Sequence, residues 1–194
     1  EIEESLEVAH QSAQSLLSLI GDILDLSKIE AGAMAPSPRP TQLVELTQSI
    51  YRLFETSASK KNIELRLVNE VQHNCVMIDA LMLNQVISNL ISNAIKFTEK
   101  GYVQLLLREL PGIEDEGRAR FAIQVTDTGK GLNDAQRKEV FEPFVQADPQ
   151  AHRAAGTGLG LSICASLANL LDAKLSVDSQ PGLGSCFTVL FEAE

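Results

Sequence analysis

Apolar residues at Ile2, Leu6, Ala9, Ala13, Leu16, Ile20 and Ile23 recur at spacings of four and three. This is the repeat of a helix that buries one seam against a neighbour. Leu17, Leu19, Leu24 and Leu26 widen the stripe, so the helix needs more than one partner, as in a bundle. Gly32 is a stop for it. Pro36, Pro38 and Pro40 then forbid continuation, because each Pro removes a backbone donor and restricts the residue before it. A boundary is expected here, with residues 1–35 forming the bundle helix, 36–42 a Pro-rich linker and 43–194 a separate domain.

Within the domain, the pattern predicts a helix over Leu43 to Lys60, then a half-buried strand at Ile63, Leu65 and Leu67. A short strand at Val76 to Ile78 leads into a helix from Ala80 to Phe97. Val103, Leu105 and Leu107 alternate, as do Phe121, Ile123 and Val125, with the polar stretch from Glu109 to Arg118 as the turn of an antiparallel pair. A helix follows over Leu159 to Leu171. Strands at Leu175 to Val177 and Cys186 to Leu190, joined by Pro181-Gly182-Leu183-Gly184, end the chain. The mixture predicts an α+β fold, a two-layer α/β sandwich with one mixed, mostly antiparallel sheet and helices on one face.

Composition narrows the function. The 194 residues are 44% hydrophobic and 22% charged, which excludes a disordered chain. The formal net charge of -10 argues against a nucleic-acid surface or an anionic membrane face, since both need a basic patch. No apolar run approaches the ~20 residues that span a bilayer, and no basic-then-apolar leader opens the sequence, so a soluble segment without direct membrane contact is expected. Cys75, Cys164 and Cys186 are odd in number and lack metal-binding spacing, so buried, reduced thiols and a cytosolic compartment are expected.

Three segments carry chemistry. Asn89, Asn93 and Lys96 are spaced i, i+4 and i+7, which at about 100° per residue puts them within roughly 60° of one another on the predicted helix. Their apolar neighbours Val86, Leu90, Ile91, Ala94, Ile95 and Phe97 make unpaired polar groups costly there. An amide oxygen suits a hard cation and an ammonium suits phosphate, although amides on such a stripe can equally bond backbone or water. Asp127-Thr-Gly129-Lys-Gly131 presents a carboxylate at a strand end beside glycines that admit close approach. Gly156-Thr157-Gly158-Leu159-Gly160 opens a helix whose free N–H groups can hold phosphate. Each segment alone is common in plain turns.

Their order is specific. Asn89-Leu-Ile-Ser-Asn93-Ala-Ile-Lys96-Phe97-Thr98, Asp127-Thr-Gly-Lys-Gly131, Phe141-Glu-Pro-Phe144 and Gly156-Thr-Gly-Leu-Gly160 resemble, in that sequence, the N, first glycine, F and second glycine boxes of sensor histidine kinases. Gly182-Leu-Gly184-Ser185 is similar to the small-residue turn before that family's last strand. Asp25-Leu-Ser-Lys-Ile-Glu-Ala-Gly32 resembles the second helix of its dimerisation hairpin, so the likeness spans nearly the whole chain and has the style of the hybrid kinases.

The resemblance implies a Bergerat-type domain of the GHKL superfamily that binds ATP and Mg²⁺. In it, Asp127 accepts a hydrogen bond from the adenine amino group and Phe97 packs on the base. Asn93, with Asn89 beside it, ligates Mg²⁺, and Lys96 contacts phosphate. Phe141 to Ala155 resembles the lid, with Phe144 as a nucleotide-binding residue and Arg153, by region, as its best candidate to reach the γ-phosphate. Gly129, Gly131, Gly156, Thr157, Gly158, Leu159 and Gly160 line the nucleotide. Beside the resemblance, Cys186 and Thr188 on the last strand could touch the adenine pocket through water. Gyrase-like relatives carry Glu where Asn89 stands, and an amide lacks the basicity to activate water. The resemblance therefore implies a protein-histidine kinase in a two-component phosphorelay, not a fast ATPase.

The implied phosphoacceptor is a His on the first hairpin helix, followed by an acidic residue. His10, His73 and His152 lack that context, so these residues are expected to bind Mg-ATP without labelling themselves. The implied partners are an acceptor-His helix of the same or a partner protomer, a second copy in a homodimer, and a response-regulator receiver domain. Nucleic acid is not among them. The implied location is a cytoplasmic segment of an inner-membrane sensor. The alternative is a non-catalytic regulatory module that hetero-dimerises with other kinases through its first helix.

Overall fold

The computed structural model describes residues 2–111, 118–145 and 157–194; before Leu19 only the side chains of Leu6, Ala13, Leu16 and Leu17 are described. Helix α1 (Ile2–Glu30) is followed by Gly32 at φ 64°, where a left-handed residue ends the helix without a Cβ clash. Leu6, Leu16, Leu17, Ile20, Ile23 and Leu24 are exposed along it, whereas Leu26 and Ile29 pack onto the core of the following domain.

Strand β1 (Arg39–Gln42) pairs antiparallel with β3 (Cys75–Ile78) in a two-stranded ribbon. The second half of the Pro-rich stretch at 36–42 is thus a strand. Pro40 is tolerated because a two-stranded ribbon consists of edges, where a missing donor can face solvent. Helix α2 (Leu43–Lys60) and α3 (Ala80–Phe97) have the ends that the apolar pattern predicts. Asp79 fixes the start of α3: its Oδ1 accepts the amides of Leu81 and Met82 at 3.0 and 3.1 Å, and its Oδ2 accepts Ser37 N–H at 2.8 Å.

The main sheet has the order β2-β4-β5-β7-β6, formed by β2 (Glu64–Glu70), β4 (Tyr102–Leu110), β5 (Ala119–Asp127), β6 (Lys174–Gln180) and β7 (Gly184–Ala193). Only β2 and β4 run parallel, because the intervening α3 provides the crossover that a parallel pair requires. Helices α2, α3 and α5 (Gly160–Leu170) pack on one face, giving the mixed two-layer sandwich. The core between the layers joins Leu83, Val86, Ile87, Leu90 and Ile91 of α3 to Val103, Leu105, Leu107, Ile123, Val125 and Val189, all 1% exposed or less. Burying each such side chain contributes roughly 1.5–3 kcal/mol before chain entropy is subtracted.

Alternation sets what each strand offers the core. Val103, Asp127, Ser185 and Ser179 stand in register across four strands and share the helix-facing side with Val125 and Phe187. Gln124, Thr126, Cys186 and Thr188 face the other way. A short helix α4 (Asp134–Glu139), which the apolar pattern does not reveal, begins at a capping box between Asn133 and Gln136. The cysteines are free thiols, but only Cys164 is buried; Cys75 is exposed and Cys186 partly exposed, since each lies where its strand turns away from the core.

Candidate nucleotide site

The site gathers where the end of β5, the last turns of α3 and the start of α5 meet. Asp127 is 6% exposed, and its Oδ1 accepts Gly129 N–H at 2.8 Å. Burial pushes its carboxyl above the ordinary value, against the opposing effect of the Gly129 and Ser185 amides. A short acceptor therefore stands at the floor of an apolar layer. Nothing but glycine fits at position 129, where an added Cβ would lie 2.5 Å from the Phe97 carbonyl oxygen. The loop is held from the far side by Thr128, whose hydroxyl accepts Tyr102 N–H at 3.0 Å, and by Lys130 C=O, which accepts Gly182 N–H at 2.8 Å.

Helix α3 supplies the opposite wall. Asn89, Asn93 and Lys96 are half-buried on one stripe, and Phe97 at its end is 39% exposed. Asn89 Nδ2 reaches Gly160 C=O at 3.5 Å, and the Cys164 thiol of α5 donates to Val86 C=O at 3.7 Å, tying α3 to α5. Among the described residues, the Asn93 carboxamide has no hydrogen-bond partner. The Lys96 ammonium lies 4.9 Å from the Phe97 ring centroid and that of Lys130 5.2 Å. Burial, then the charges of Lys130 and Lys61, lower the pKa of Lys96. Lys61 itself caps the end of α3, donating to the carbonyls of Ile95 and Lys96 at 2.8 and 2.9 Å. Three cations thus gather at this corner of a chain whose net charge is -10.

The third wall is the start of α5. Leu159 is 1% exposed, and Thr157 Oγ1 accepts Leu159 N–H at 3.1 Å. Gly158 (φ 74°) lies against the Phe144 backbone, whose N–H donates to Gly158 C=O at 3.0 Å, so the two flanks of residues 146–156 are fastened together. Phe144 is 69% exposed. Arg153 and Gly156 lie outside the described residues.

The structure therefore joins Asp127, Gly129, Phe97 and Lys96 at one corner and ties Asn89 of the same helix to Gly160 at the start of α5, where Thr157, Gly158 and Leu159 lie; Gly131 packs against the β6–β7 turn. It does not bring Thr188 to that corner. That residue is three positions beyond Ser185 on β7, so alternation turns it to the uncovered sheet face, where it accepts from Gln124 Nε2 at 3.2 Å. Ser185 is the residue on the site's side, paired with Asp127 and bonded to Ser179 Oγ at 3.0 Å. Strand parity counted back from the apolar Phe187 could have found it.

A buried acceptor, a partly exposed ring, an unpartnered amide, an electropositive corner and a helix N-terminus fit an adenine nucleotide with a hard cation. No group of three His, Cys, Asp or Glu that could hold a metal occurs among the described residues. The fold and site together are those of an ATPase catalytic domain. Residues 78–194 match the model of the histidine kinase-, DNA gyrase B-, and HSP90-like ATPase family, and the chain belongs to it.

Within that family the chain is similar to bacterial sensor proteins. It is 43% identical over 189 residues to the virulence sensor protein BvgS of Bordetella bronchiseptica, covering 96% of this chain and 15% of that protein. It is 35% identical over 192 residues to the sensor protein EvgS of Escherichia coli, covering 98% of this chain and 16% of that one. Among solved structures, full-length ShkA in complex with AMPPNP superposes with a TM-score of 0.81 at 31% identity, covering 98% of this chain and 38% of ShkA. The chain thus spans about a sixth of the length of these curated relatives. No helix among the described residues is long and apolar enough to cross a membrane.

Proposed function

We propose that this chain is the nucleotide-binding and phosphoryl-presenting module of a protein-histidine kinase, with residues 43–194 as the catalytic domain and α1 as the second helix of a dimerisation hairpin. The observation that carries the reading is the desolvated Asp127 carboxylate, held by the Gly129 amide in a loop that packs against the Phe97 backbone at the end of the helix stripe bearing Asn93 and Lys96.

In this reading Asp127 accepts the exocyclic N–H of a purine, with the Gly129 and Ser185 amides holding the carboxylate in place. Phe97 offers its ring face. Asn93, aided by Asn89, directs a carboxamide oxygen at a Mg²⁺ ion, and Lys96 offsets phosphate charge that the low-dielectric corner makes more effective. When bound, Mg-ATP supplies the transferable phosphoryl group. Asn89 is an amide engaged with Gly160, so it offers no base for water, and the residues around it orient a phosphoryl group for a protein nucleophile. Arg153 is the proposed cation of the segment that closes over the nucleotide.

The nucleophile is a histidine on a hairpin helix outside these 194 residues, and the transferred phosphoryl group is destined for a receiver domain. The exposed apolar stripe of α1 supports a bundle made with that helix and a second copy of the chain. The reading places the module on the cytoplasmic side of a membrane sensor. Incubating the protein with radiolabelled ATP and a separate hairpin bearing the acceptor histidine tests it. Transfer to the hairpin and none to His10 is expected; tight nucleotide binding without transfer would favour a regulatory module instead.

A further inference from the structure

Helix α1 does more than lie beside the domain: it reaches two elements of the site through side-chain hydrogen bonds. Thr157 Oγ1 donates to Asp22 Oδ2 at 2.9 Å while accepting Leu159 N–H at 3.1 Å. One hydroxyl therefore links a carboxylate on α1 to a backbone donor at the start of α5. One turn further along α1, Asp25 Oδ2 accepts Gln85 Nε2 at 2.9 Å, and Gln85 stands one turn before Asn89 on α3. Leu26, Ile29 and Met34 supply the apolar part of the contact. The charge of Asp22 is felt inside the domain. Burial raises the pKa of the Cys164 thiol to about 12, the nearby Asn89 side chain opposes this, and Asp22 adds to the rise.

In this docked arrangement Leu159 N–H is already taken by Thr157, and a negative charge stands behind the hydroxyl. Both features oppose a polyphosphate at the start of α5. Neither touches the Asp127 end, where a purine would sit.

We propose that Asp22 is a positioning residue that makes docking of α1 and binding of a nucleotide's phosphates mutually antagonistic: docked, it holds Thr157 against Leu159 N–H; undocked, it releases that donor and the hydroxyl to phosphate. Only the phosphate half of this rests on the proposed function; the positioning half concerns the protein alone. Because coupling is reciprocal, nucleotide binding loosens α1 by the same factor by which α1 weakens nucleotide. Any rotation or shift of α1 imposed from upstream is then read directly at the site.

Two measurements on the whole chain test this. In calorimetry, Asp22→Ala should raise Mg-ATP affinity by about five-fold or more while adenosine stays within about two-fold. Asp22→Asn, which keeps an acceptor but no charge, should fall between Asp22→Ala and wild type. Unchanged or weaker Mg-ATP binding, or an equal change for adenosine, overturns the antagonism. In amide hydrogen exchange without nucleotide, Asp22→Ala should speed exchange at Leu159 and the first turn of α5, and Asp22→Asn should restore protection. Equal exchange in all three proteins overturns the positioning role. Should neither adenosine nor Mg-ATP bind any form, the nucleotide reading and the antagonism fall together, and the exchange experiment still decides the positioning.

Discussion

Asp127 and Ser185 face each other across β5 and β7 on the side of the sheet that the helices cover, and the Ser185 amide helps hold the buried carboxylate. The pairing places a charge where burial disfavours it. The cost is tolerable only because backbone amides are aimed at it.

That cost has a pH signature. The folded-state pKa of Asp127 is raised, so the penalty of ionising it is absent below the unfolded value and complete above the folded one. Without nucleotide, the protein should lose stability as pH rises through the folded pKa of Asp127. Asp127→Asn should remove this dependence and melt no lower than wild type at neutral pH. Thermal melts from pH 3 to about 8 check both; a mutant clearly less stable at neutral pH would show that the charge itself is stabilising.

Lys96 follows the same logic with opposite charge. Burial and the neighbouring Lys130 and Lys61 depress its pKa, so its ammonium costs stability below the folded pKa and ceases to cost it above the unfolded one. Lys96→Met should leave the nucleotide-free melting temperature at neutral pH unchanged or higher. It should weaken ATP by about ten-fold, the equivalent of about 1.4 kcal/mol, with little effect on adenosine. Comparing the two ligands by calorimetry separates a phosphate contact from a structural one.

For Asn93 the informative variable is the cation. The carboxamide has no hydrogen-bond partner among the described residues, so Asn93→Ala should cost little stability. ATP affinity of the mutant should become insensitive to exchanging Mg²⁺ for a chelator, whereas the wild type loses affinity on chelation. Retained Mg²⁺ dependence in the mutant would move the ligand role elsewhere.

Asp79 provides a test of the frame. Burial raises its pKa, but the amides of Ser37, Met82 and Leu81, with Arg39 nearby, prevail and hold the carboxyl below the ordinary value. Its contribution is therefore present above the unfolded pKa and lost as pH falls through the folded one. Asp79→Ala should cost about 1–2 kcal/mol at neutral pH, as for other helix caps, and the difference from wild type should vanish in acid. Urea melts at pH 7 and at about pH 3 measure it.

The parts legible in the sequence are those set by local periodicity. The ends of α2 and α3 follow from their apolar stripes and from Asp79 as a cap. Strand β1 escaped because Pro40 reads as linker unless a partner edge is known, and α4 because six residues carry too little periodicity, although Asn133 and Gln136 mark its start. Thr188 was misplaced by one step of strand parity, the step that decides which sheet face a residue serves. The contact between Asp22 and Thr157, separated by 135 positions, is a product of packing that no local pattern encodes.

The central claim is that the corner floored by Asp127 holds an adenine nucleotide. Titrating the folded chain with Mg-ATP in a calorimeter, beside the Asp127→Asn protein, tests it most directly. The account predicts saturable one-to-one binding that the substitution weakens by at least about ten-fold. Equal binding by both proteins, or none by the wild type, would contradict it.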